Sequence, residues 1–207
     1  MSTRRWLGRL APGVILACGV FTYLRPVLGE KRAPWPRPAM TSALAPRSLY
    51  RLDAHFQTEE SRPFQLSELR GEFQVLALIF TRCPSVCPTL VHELQALERA
   101  MPAAVSDSTR FALVSIDPMH DTPTVLQAYR AKLGLSPDHF LLLRGAPDSV
   151  RELSALLGFG YSSAEDGMPL AHSKLVTVLN REGEIIHQQA SVSADSQKIV
   201  DAIARAL

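Results

Sequence analysis

The chain has 207 residues, with 22 Lys and Arg against 20 Asp and Glu, and a formal net charge of +2. Residues 1–40 hold seven basic residues and one acid, a net of +6, so the remainder carries 15 basic and 19 acidic residues, a net of −4. A mildly acidic domain lacks the basic face that nucleic acid requires. At 46% hydrophobic and 20% charged residues, the chain is no disordered polymer, and three cysteines are too few for a disulfide scaffold.

The leader comes first. Residues 10–24 (LAPGVILACGVFTYL) carry no charge, and reaching back to Trp6 gives a 19-residue stretch that includes Arg9. A bilayer core takes about 20 apolar residues. Arg4, Arg5 and Arg9 form a basic segment of the secretory kind. Three outcomes stay open: an uncleaved single-span anchor, favoured by the long apolar run; a lipoprotein processed at Cys18, which follows Ile15-Leu16-Ala17; and a cleaved signal peptide. All three put the domain on the exported face of a membrane, which in a bacterium is the periplasm. Residues 1–30 are therefore read as anchor or signal. Residues 31–47 are a linker stiffened by Pro34, Pro36 and Pro38, and residues 48–207 are one domain.

Within that domain, residues 74–80 (QVLALIF) are a continuous apolar run, as expected of a strand buried on both faces. Residues 89–100 place leucines at 90, 94 and 97, a helical spacing. Residues 111–116 (FALVSI) predict a second buried strand. Thr122-Pro123 opens a helix, with Thr122 as N-cap and Pro123 at the first helical position. Residues 140–143 predict a third strand and residues 147–157 a helix. Residues 175–180 and 184–189 flank Arg181-Glu182-Gly183 as a hairpin, and residues 195–207 close the chain as an amphipathic helix. The order βαβαβα, then hairpin and helix, predicts an α/β fold: a thioredoxin-like three-layer sandwich around a central mixed sheet.

Cys83-Pro84-Ser85-Val86-Cys87-Pro88 lies between the first buried strand and its helix, at the carboxyl edge where open α/β sheets carry their ligand sites. The following helix N-terminus is expected to favour thiolate over thiol. Two thiolates on one loop either close a disulfide or chelate a soft metal. Zinc is disfavoured, because no further CxxC or His-rich cluster completes four ligands. For a third ligand, His92 falls on a different helix face from Cys87. His172 precedes the strand expected to run antiparallel beside the cysteine-bearing one; it is read either as a ligand or as a hydrogen-bonded loop histidine. In Asp117-Pro118-Met119-His120-Asp121, Met119 and His120 are soft or borderline donors, but braced and solvated roles are the default. His55, His139 and His187 are assigned no role.

Residues 80–88 (FTRCPSVCP), then Ser115-Ile116-Asp117-Pro118 with Asp121-Thr122-Pro123, then His172-Ser173 together resemble the Sco/SenC family. Its members are thioredoxin-fold copper proteins serving cytochrome c oxidase assembly. The resemblance runs from about Phe64 to the C-terminus. It implies that Cys83, Cys87 and His172 hold copper, Cu(I) or Cu(II), with Asp117 and Asp121 in support. The implied partner is the copper-bearing subunit of the oxidase or another copper or thiol protein. Two departures stand out: Ser85 and Val86 occupy positions where family members often carry an acid, and Ala171 stands where Asp is frequent.

The leading expectation is therefore a membrane-tethered copper metallochaperone that delivers copper to the binuclear copper centre of cytochrome c oxidase, with thiol–disulfide oxidoreductase activity left open on the same site. Its rival is a thiol–disulfide reductase that keeps an acceptor's cysteines reduced, using Cys83 and Cys87 without His172. The three residues between the cysteines disfavour that rival, since dithiol catalysts usually have two. A copper or redox sensor is a third class.

Overall fold

The computed structural model describes residues 44–163, 169–171, 174–193 and 195–207. The expected leader, Cys18, most of the linker, Ser173 and His172 lie outside the described residues. Among the described residues, no helix is long and apolar enough to cross a membrane.

The sheet grows from its most apolar strands. A short 3-10 turn precedes β1 (Phe56–Thr58) and β2 (Pro63–Phe64). Next comes β3 (Phe73–Ile79), buried at every position, as a strand covered on both faces must be. Helix α1 (Val86–Ala100) and the short α2 (Ala103–Ser106) lead to β4 (Thr109–Ser115), also buried throughout. Then follow α3 (Pro123–Leu133), β5 (Phe140–Gly145), α4 (Pro147–Leu157), and a two-stranded ribbon of β6 (Tyr161–Ser163) and β7 (Pro169–Ala171). The hairpin β8 (Val176–Leu179) and β9 (Ile185–Gln189) and helix α5 (Ser196–Ala204) complete the chain.

The main sheet has seven strands in the order β2-β1-β5-β4-β3-β8-β9. Strands β3, β4 and β5 are parallel, whereas β1 and β8 run antiparallel to their central neighbours. Helices pack as two groups, α1 against α3 and α2 against α5. This is the predicted thioredoxin-like mixed sheet. The helix signals hold as well: Thr122 Oγ1 accepts from the Val125 N–H, Pro123 starts α3, and Gly134 ends it in the left-handed conformation.

Several features depart from the expected pattern, α2 and the β6–β7 ribbon among them. The strands β1 and β2 are absent from it, because two- and three-residue strands in a polar stretch carry no readable alternation. Helix α1 begins at Val86 and not at 89, so Cys87 and Pro88 lie in its first turn. Proline is admissible there because the first-turn N–H groups have no intrahelical acceptor.

The β8–β9 turn depends on Gly183, at φ +84, whose missing Cβ would sit 2.6 Å from the Tyr50 ring. Gly134 is also left-handed but faces open space. Gly183→Ala is expected to lower unfolding free energy by about 2–3 kcal/mol and Gly134→Ala by only about 1 kcal/mol. Urea denaturation checks both; equal losses would contradict the reading.

Candidate metal centre

Strand β3 delivers the chain to the carboxyl edge of the sheet, where Phe80 leads into Thr81-Arg82-Cys83. The Cys83 N–H donates to the Phe80 carbonyl (3.2 Å), closing a tight turn. Ser85 takes the N-cap position of α1 but makes no side-chain cap. Instead the Cys87 N–H donates to Cys83 Sγ at 3.2 Å, so a sulfur satisfies one of the helix's orphan donors. Both cysteines are free and buried, at 8% and 5% exposure. The four-residue spacing thus unites the pair through a helix cap, since only Cys87 is helical.

Two carboxylates hold this turn from the neighbouring strand. The end of β4 leads into the 117–121 loop, where Asp121 is fully buried. It accepts from the Thr81 N–H (3.1 Å), the Thr81 hydroxyl (2.5 Å) and the Ser115 hydroxyl (2.5 Å). Asp117, also buried, accepts from Arg82 Nε at 2.9 Å and pairs with Arg82 Nη2 at 2.7 Å. The two residues immediately before Cys83 are therefore each gripped by one aspartate. From the other side, Arg144 Nη2 of β5 donates to the Pro118 carbonyl at 2.5 Å.

Asp117, His120 and Asp121 bring one donor atom each within 4.8 Å of one another. Both carboxylates already hold Thr81, Ser115 and Arg82. Met119, 80% exposed, and the exposed His120 sit on the rim.

Burial dominates the electrostatics of the thiols. It pushes the Cys87 thiol up to about 12; a backbone hydrogen bond from Phe80 opposes this, and Cys83 and Asp121 raise it further. This corrects the expectation that the helix N-terminus would favour thiolate at this position. A terminus offers about half a charge, too little against desolvation of a full one.

The cysteines border a small cleft of about 40 Å³, lined by Leu78, Phe80, Val86, Leu90 and Lys174. That volume admits a water-sized object or a single ion. Among the described histidines none reaches the pair. His92 is exposed and shares a hydrogen bond with Gln95, and His139 pairs with Glu98 at the amino edge of β5, the opposite end of the sheet. His187 contacts Gln189, and His55 is exposed. The strand β8 runs antiparallel beside β3, with Val176 opposite Ala77, as expected for the strand that follows His172. The gripping roles of Thr81 and Arg82, and the placement of Lys174 at the cleft, were not anticipated from sequence. A basic residue directly before a cysteine was the one available signal.

The family model described as SCO1/SenC matches residues 45–207. The chain is 32% identical over 104 residues to the SCO1 protein homolog of Bacillus subtilis, covering 50% of this chain and 53% of that relative. It spans little more than half the length of curated relatives it matches, 53% and 62% for two of them. Yeast Sco1 solved with copper bound shares the fold at a TM-score of 0.64 and 20% identity, covering 74% of this chain and 88% of that one. BsSco, a member of the Sco family of cytochrome c oxidase assembly proteins studied for a disulfide switch, aligns with a TM-score of 0.64 at 22% identity. That alignment covers 75% of this chain and 92% of BsSco.

Two outcomes are expected. Asp121→Ala removes an acceptor of three hydrogen bonds and should cost about 3 kcal/mol in urea denaturation; a loss below about 1 kcal/mol would contradict the bracing role. For Cys87, a folded-state value above the ordinary 9.0 means a stability contribution present below about pH 9 and lost as pH rises toward about 12. Iodoacetamide labelling of Cys87, followed by peptide mass, should stay slow in folded protein at pH 9 and be fast in guanidine. Equal rates in both would contradict it.

Proposed function

The chain belongs to the SCO1/SenC family, and on that premise we propose that it is a copper chaperone that holds its cargo between Cys83, Cys87 and His172. The observation that carries the reading is the pair of free, buried cysteines joined by the Cys87 N–H···Sγ contact at the mouth of an apolar cleft. The donor chemistry fits: two sulfurs and one imidazole suit Cu(I) and accommodate Cu(II). The copper-bound state of yeast Sco1, which shares the fold, supports the same cargo here.

Binding expels the thiol protons to solvent, since only thiolates ligate. Asp117 and Asp121 hold Arg82 and Thr81, so Cys83 meets the ion from a fixed turn. Three ligands leave a coordination position open to an acceptor's side chains, and copper then passes by ligand exchange without change of oxidation state. The acceptor in this reading is the copper-bearing subunit of cytochrome c oxidase or another copper or thiol protein. Residues 1–30 export the domain in this reading, holding it at the membrane as an anchor or as a lipoprotein through Cys18, or releasing it as a cleaved signal.

The proximity of the two cysteines also favours a second reading, thiol–disulfide exchange. In that reading the two thiols reduce an acceptor's disulfide: two electrons and two protons pass to the acceptor's two sulfurs, its S–S bond breaks, a Cys83–Cys87 S–S bond forms, and both sulfur ligands are lost.

Titration of the full chain in detergent separates the two. Reduced protein should take up one copper per chain with thiolate-to-Cu(II) absorption. Cys83→Ser and Cys87→Ser should each abolish that absorption, and His172→Ala should weaken copper affinity by at least about tenfold. An unchanged spectrum and affinity in His172→Ala would remove the histidine from the site. Disulfide reduction without copper uptake would establish the second reading instead.

A further inference from the structure

A second cleft, of about 270 Å³, opens at the same edge of the sheet, at the end of β5. It is lined by His55, Gln57 and Arg144 and by Ala146-Pro147 at the start of α4. His55, Ala146 and Pro147 are exposed, so the cleft is open to solvent. Of these side chains the copper reading uses only Arg144, through its bond to the Pro118 carbonyl.

Arg144 is set apart by its pairing. Arg62, Arg70, Arg82, Arg110 and Arg130 are the other described arginines withdrawn from solvent, and each faces an aspartate or glutamate. Among the described residues no carboxylate pairs with Arg144. A guanidinium carries five N–H donors. Here Nη2 donates to the Pro118 carbonyl at 2.5 Å and Nη1 to Gln57 Oε1 at 3.4 Å. Both acceptors are neutral, the second bond is long, and Nε is buried without a partner. A partly buried cation in this state ordinarily has an anion beside it. Asp148, in the first turn of α4, does not serve: its side chain is 91% exposed and pairs with Arg151 at 2.5 Å. The start of α4 has no side-chain cap, so its partial positive charge adds to that of the guanidinium.

We infer that this cleft is an oxyanion site, with Arg144 as its binding residue and His55 and Gln57 at its border. The remaining hydrogens of Nη1 and Nη2 suit two oxygens of one ligand, the pairing that a carboxylate or a phosphate provides. The cleft is several times the size of the one beside the cysteines, with room for such a group and some of its water. The ligand also supplies the countercharge that the fold gives to the other withdrawn arginines.

The test is thermal unfolding of the full chain in detergent, in millimolar sodium phosphate or sodium acetate against sodium chloride of equal ionic strength. At least one of the two oxyanions should raise the wild-type midpoint by about 3 °C. A rise in phosphate alone assigns a phosphate ligand, and a rise in acetate assigns a carboxylate. Arg144→Gln should remove the rise. Gln57→Glu should remove it as well, because it seats a carboxylate beside Nη1 while Arg144 stays in place. Arg151→Gln, an exposed arginine of α4, should keep it. No rise in wild type with either salt overturns the inference, and so does an equal rise in Arg144→Gln or a loss of the rise in Arg151→Gln. If Arg144→Gln does not fold, Gln57→Glu carries the test, and a rise retained there overturns the inference. None of these readouts involves copper, so their failure leaves the chaperone reading standing.

Discussion

The site depends on one bracket: Asp121, fully buried, accepting from the Thr81 amide and hydroxyl and from Ser115. These bonds join the exit of β3, the end of β4 and the start of α3 at one point. Asp117 extends the bracket to Arg82. A turn leaving a sheet edge is ordinarily the least ordered part of an α/β fold. Here its two residues before Cys83 are tied to the adjacent strand, so the rigidity of the central sheet reaches the sulfur. Low dielectric at this depth makes each bond count for more and makes the loss of any acceptor costly.

Burial sets the chemistry of the pair. A single helix terminus would favour thiolate, yet desolvation prevails and Cys87 stays a thiol across the neutral range. A thiol of that kind is a slow nucleophile and a poor partner in disulfide exchange. A soft ion changes the balance by supplying positive charge at the sulfur itself. Copper and buried cysteines therefore suit each other in a way that rapid thiol exchange and buried cysteines do not. Ser85 and Val86, which stand where acids are frequent in the family, add no charge between the cysteines; Val86 is exposed beside the cleft.

Much of this was legible in the residues. The runs that became β3 and β4 are apolar at nearly every position, and this marks strands covered on both faces. Thr122-Pro123 and Gly183 announced a helix start and a turn through local chemistry. The cysteine pair was legible from spacing and placement. What stayed hidden depends on contacts between distant residues. Thr81 and Asp121 are 40 apart in sequence, Arg82 and Asp117 are 35 apart, and nothing local pairs them. The start of α1 was misplaced because two prolines obscure a helix whose first turn is capped by a sulfur.

X-ray absorption at the copper edge, on the full chain loaded with one equivalent of copper, tests the central claim most directly. The account predicts two sulfur scatterers and one nitrogen scatterer bound to the metal, with both sulfurs lost when Cys83 and Cys87 are replaced together by serine. A shell of nitrogen and oxygen alone, or sulfur that persists in that double variant, would contradict it.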